Sequence, residues 1–170
     1  LRASVVLMSA WAAGCLLAVP ALVSLAMTQP AQWAMHECRE IGVAAEFPAP
    51  PDGWDRQDVE TPLGSLPAEG CIALRGGDGS YAVTLYWVGD TMDEAKRRAW
   101  LAPLGTDVRA TPATADGLDA VDVELQHPLA GRGRVVFAGS MVIELMAVGG
   151  SAEDASRFLR SFRRSRGSSR

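Results

Sequence analysis

Residues Ala3 to Met27, ASVVLMSAWAAGCLLAVPALVSLAM, hold no charged side chain and no Asn or Gln. The run exceeds the ~20 apolar residues that carry a helix across a bilayer, and it is long beside the ~7–15 apolar residues of a secretory signal. Arg2 is the one charge ahead of it. By the positive-inside rule the N-terminus then stays in the cytoplasm, and everything after Thr28 lies outside. Ser24 and Ala26 also give the small-x-small pattern of a cleavage site, so a secreted or periplasmic protein is the alternative. AAGC at Ala12–Cys15 has the look of a lipoprotein box, but the chain stays apolar past the cysteine. Ala10, Gly14 and Ala18 form a small-xxx-small series that could pack two such helices. Trp33 falls just beyond the span, where interfacial indoles gather.

The rest of the chain is a folded domain by composition. Of 170 residues, 48% are hydrophobic and 21% charged, too apolar for a disordered chain. A net charge of −4 excludes general nucleic-acid binding. Six arginines, Arg157, Arg160, Arg163, Arg164, Arg166 and Arg170, follow the last acid, Asp154, so the preceding chain is markedly acidic. The expected organisation is a span or signal over 1–28, a linker over 29–40, an α+β domain over 41–164 and a disordered basic tail over 165–170.

Within the domain, AVDVELQ at Ala120–Gln126 alternates cleanly. Val121, Val123 and Leu125 share one face, and Asp122, Glu124 and Gln126 the other, as in a half-buried antiparallel strand. A short strand opens IGVAAEFPAPPDGW and stops at its prolines. GCIALRGGDGSYAVTLYWVG reads as strands Cys71–Leu74 and Tyr81–Val88 around a glycine turn. Thr91 and Glu94 suit a capping box for a helix that ends at Pro103. GRVVFAGSMVIELMAVGG adds strands at about Arg134–Ala138 and Met141–Val148. The closing SAEDASRFLRSFRR places Ala152, Ala155, Phe158, Leu159 and Phe162 on one ~120° arc, with Ser151 and Asp154 as caps, so it packs on a core instead of gripping an anion. The expected fold is α+β, an antiparallel sheet of five to six strands flanked by two helices.

The order GVAAEFPAPP, YAVTLYWV, a helix, GLDAVDVEL, the hairpin RVVFAGSMVIELMAVG and the ending ASRFLRSF resembles the PsbP-like domains of small exported or membrane-anchored bacterial proteins, over about Val43 to Arg163. That resemblance implies a sheet flanked by helices and a mostly non-catalytic accessory or ligand-binding role. It carries no catalytic motif onto residues here. Many such domains are lipid-anchored, and this chain has no convincing lipid site.

Candidate chemistry is sparse. His36 and His127 are the two histidines, and neither a nucleophile elbow nor a phosphate loop occurs. Asp116, Asp119, Asp122 and Glu124 form the densest acidic cluster, but two of them belong to the outer face of a strand and not to a calcium loop. Paired carboxylates for glycoside hydrolysis cannot be picked out from spacing. MHEC at Met35–Cys38, with Cys71 further on, offers two readings: a Cys38–Cys71 disulfide in an oxidising compartment, or a copper or zinc site on His36, Cys38 and Cys71. Free thiols are a third. The function expected is a non-catalytic extracytoplasmic domain without a cofactor, tethered through residues 3–27 and binding a protein or small ligand. Soft-metal binding and a small hydrolase with unidentified carboxylates are the alternatives.

Overall fold

A computed structural model describes residues 32–38, 41–75, 79–104, 108–125 and 130–165. The apolar segment 3–27, Cys15, His127 and residues 166–170 lie outside the described residues.

Ten strands and two α-helices follow in the order β1 (Ala34–Cys38), β2 (Val43–Phe47), β3 (Asp52–Thr61), β4 (Gly64–Arg75), β5 (Gly79–Trp87), α1 (Glu94–Leu101), β6 (Arg109–Ala115), β7 (Leu118–Leu125), β8 (Gly131–Ala138), β9 (Met141–Gly149), α2 (Ala152–Ser161) and β10 (Arg163–Arg164). Seven strands make one antiparallel sheet in the order β3-β4-β5-β9-β8-β7-β6, and β1-β2-β10 make a small second sheet. The α+β expectation holds, while the sheet is wider than the five to six strands expected. The unexpected strands have a shared cause. β3, DGWDRQDVET, carries charges on both faces, and β6, RATPATA, contains Pro112; both are edge strands of the large sheet. Charge and proline are what keep an edge from pairing further, and they also erase the alternation that marks a strand. β1 forms within the segment read as linker and pairs with β2 from Ala34↔Phe47 to Cys38↔Val43. β4 starts at Gly64, seven positions before the Cys71 expected.

The large sheet is covered on both faces. On one, Phe158, Leu159 and Phe162 of the closing segment pack with Val43, Ala45 and Phe47 of β2 over Tyr81, Val83, Leu85, Val136, Ile143 and Leu145. Phe158 meets Phe47 and Tyr81 edge-on, at ring-centroid distances of 5.2 and 5.5 Å. Ser151 caps α2 by accepting the Asp154 N–H at 3.0 Å. On the other face, Met92 and Trp100 lie with Ala68, Tyr86, Val135, Phe137 and Val142.

Two-sided cover corrects the reading of β7. Asp122 keeps part of its surface at solvent but is also engaged: it accepts both Nε (2.6 Å) and Nη2 (3.0 Å) of Arg134, whose Nη1 reaches the Leu159 carbonyl of α2 at 3.0 Å. Glu124 pairs with Arg132 at 3.2 Å. The cap of α1 also differs. Asp93 accepts the Lys96 N–H at 2.8 Å, and Glu94 pairs with Arg98 one turn on instead of reaching back to Thr91. Trp33 packs on the domain: its ring meets Tyr81 edge-on at 5.4 Å and lies under the Arg157 guanidinium at 5.0 Å.

Candidate binding face

The residues singled out for chemistry serve the fold. Cys38 and Cys71 are buried and joined in a disulfide that ties β1 of the small sheet to β4 of the large one. With both sulfurs bonded to each other, the soft-metal set of His36, Cys38 and Cys71 lacks its thiolates. His36 instead packs edge-on against Phe47 at 6.2 Å. No group of three or more His, Cys, Asp or Glu is placed to hold a metal among the described residues. The acidic cluster is dispersed into separate pairs, Asp116 with Arg164, Asp119 with Arg97, Asp122 with Arg134 and Glu124 with Arg132. The Arg164 backbone N–H, first, and then its guanidinium hold the Asp116 carboxyl below its usual range. α2's basic face is likewise engaged, since Arg157 pairs with Glu46 of β2.

On the α1 face of the sheet, Glu144 is held by neutral donors instead of an arginine. The register places Trp54, Gly70, Thr84 and Glu144 in one row across β3, β4, β5 and β9. Because side chains alternate, these four share a face with Tyr86, which belongs to the core beneath α1. Glu144 accepts the Trp100 indole N–H at 2.9 Å on Oε1 and the Tyr86 hydroxyl at 3.2 Å on Oε2. Tyr86 and Trp100 meet edge-on at 5.0 Å. The residue keeps some surface at solvent, while its carboxyl is enclosed by these rings and by β8. Burial raises the Glu144 pKa, against the two hydrogen bonds that lower it, and burial together with the nearby Glu144 charge pushes the Tyr86 hydroxyl far up.

Glycine matters at one point of the row. A Cβ on Gly70 would fall 2.9 Å from Cζ2 and 3.0 Å from Cε2 of Trp54, and against the Val83 carbonyl. Only a bare backbone lets the Trp54 indole approach the sheet this closely there. From the same edge, Val59, Leu63 and Leu66 of the β3–β4 hairpin, all half-buried, continue the apolar surface beneath α1 outward.

None of Glu144, Tyr86, Trp100 or Trp54 stood out in the sequence. A signal was present in MVIELMAV, where one acid interrupts an otherwise apolar strand. Its partners lie on other elements and carry no spacing. As for the hydrolase alternative, Glu144 is a carboxyl of raised pKa, but both its oxygens are engaged and no second acid acts on it among the described residues.

The chain matches no family model and no curated protein. Among solved structures it is similar to the solution structure of cyanobacterial PsbP (CyanoP) from Synechocystis sp. PCC 6803, with 13% identity and a TM-score of 0.48, over 81% of this chain and 95% of that one. At that level no ligand, partner or residue role passes from one to the other.

Proposed function

We propose that this is a non-catalytic extracytoplasmic binding domain, tethered to the membrane by residues 3–27, whose α1 face takes a small apolar ligand or an apolar patch of a partner protein. The observation that carries it is the run of half-buried Trp54, Val59, Leu63 and Leu66 leading from the hairpin edge to the core under α1. Apolar walls with a few convergent polar groups are the usual make-up of a ligand site. The buried disulfide supports an oxidising compartment. Several ionic side chains, among them Arg75–Asp154, Arg134–Asp122 and Arg157–Glu46, are used in pairs that hold elements together.

The test follows the indole N–H signals of Trp54 and Trp100 by NMR, with the full chain in maltoside detergent and cyclohexanol as the probe. A saturable shift is expected, weakened at least about tenfold by Leu66→Asp, since a charge on the wall costs the burial of a leucine. His36→Ala should leave both fold and shift unchanged. A shift that rises without saturating, or that His36→Ala abolishes while Leu66→Asp spares it, overturns the reading.

A further inference from the structure

Buried carboxylates are paired with cations because the low-dielectric interior penalises an isolated charge. The partly enclosed acids Asp122, Glu124, Glu46 and Asp154 each have an arginine. Glu144, in the core beneath α1, has two neutral donors in place of a cation. The cations of α1 are committed elsewhere: Arg97 is paired with Asp119 at 3.0 Å and stacked on Phe137 at 5.0 Å, Lys96 pairs with Asp90 and Arg98 with Glu94.

What surrounds the carboxyl is aromatic. Trp100 and Tyr86 touch it, and the Trp54 indole lies over Gly70, two strands away along the same row, roughly 10 Å at ~4.8 Å per strand. An acid amid indole and phenol rings is complementary to an organic cation, since ring faces attract positive charge within ~6 Å. Resting on the α1-face reading above, we infer that Glu144, with Trp54, Tyr86 and Trp100, forms a binding site for an organic cation, an alkylated ammonium on a small apolar body. The carboxylate supplies the counter-charge and the rings replace the cation's water. Thr84, between Trp54 and Glu144, is buried, so the site is closed in this state. Entry goes through Trp54. It stands on an edge strand, beside a register break between Trp54 and Gln57, and is the least enclosed of the three rings.

The experiment compares choline with its neutral isostere 3,3-dimethylbutan-1-ol on the same detergent-held full chain, at pH 8, by the Trp54 and Trp100 indole signals. Choline should bind at least about tenfold tighter than the alcohol. Glu144→Gln, which keeps shape and acceptor, should cut that preference to about threefold or less, and Trp54→Ala should weaken choline about fivefold or more. Near-UV circular dichroism checks that both variants fold; Trp54→Ala, at the edge, keeps the test open if Glu144→Gln does not fold. Equal binding of choline and the alcohol overturns the cation inference and leaves the apolar face standing. So does choline binding that survives Glu144→Gln, because the carboxyl is then a neutral structural group. If neither binds while cyclohexanol saturates, the cation inference alone falls; if cyclohexanol fails too, both do.

Discussion

Glu144 occupies a position where every strand neighbour in MVIELMAV is apolar, and its pKa is raised by burial. The sign of its effect on stability follows. A carboxyl whose folded pKa lies above its unfolded one binds its proton more tightly when folded. Its stabilising contribution is therefore whole below the ordinary carboxyl range and is lost as pH climbs through the folded pKa. Glu144→Gln has no such loss. Urea midpoints of wild type and variant should coincide near pH 4 and separate in the variant's favour by pH 8. A variant that is instead less stable at pH 8 than at pH 4, relative to wild type, would mean the indole and phenol donors outweigh the burial of the charge. Asp116 has the opposite sign, since its lowered pKa makes its contribution present above the carboxyl range and lost on acidification. It titrates below the window used for Glu144 and is common to both proteins. Residues of this kind explain why the site was not readable in advance: an acid's meaning depends on which rings other strands bring to it.

At the scale of elements, legibility followed burial. α2 was readable because its apolar stripe faces one core: Ala155, Phe158, Leu159 and Phe162 are buried as the wheel requires, while Ala152 at the first turn is exposed. β7 was readable as a strand, but alternation says only that two faces differ and not how wet each is; Asp122 stays partly exposed while Arg134 links it to α2. β3 and β6 were not readable at all, because an edge strand is selected for charge and proline. α2 itself can be put to the question of whether it closes a fold or grips an anion. Phe158 is wholly buried against Phe47 and Tyr81, so Phe158→Ala should cost about 3–5 kcal/mol in urea denaturation. Arg160 is exposed, and Arg160→Ala should fall within ~0.5 kcal/mol of wild type. Comparable losses from the two would mean that α2 is held by its charge and not by its apolar face.

For the molecule as a whole, the disulfide connects structure to place. Cys38 and Cys71 stand 33 positions apart, on different sheets, and both are buried, at 4% and 3% exposure. Small sheet and large sheet share one core, so the cross-link holds together layers that also pack, and in the chain-entropy account a loop of that size contributes about 2–4 kcal/mol. Such a bond forms and persists where the compartment is oxidising, which is where the apolar run with Arg2 ahead of it would deliver everything after Thr28. Topology and cross-link therefore stand or fall together. Alkylation of the protein in intact cells, then denaturation, reduction and a second label, separates the cases. Both cysteines should take only the second label, because burial and bonding shield them equally. Denaturation without reduction should leave them unlabelled, and the Cys38 and Cys71 peptides should travel linked in mass spectrometry. If denaturation alone exposes both thiols, the domain sits in a reducing compartment. The positive-inside reading of residues 1–28 is then inverted, and the small sheet is held on the large one by Phe47, Phe158 and Phe162 without a covalent tie.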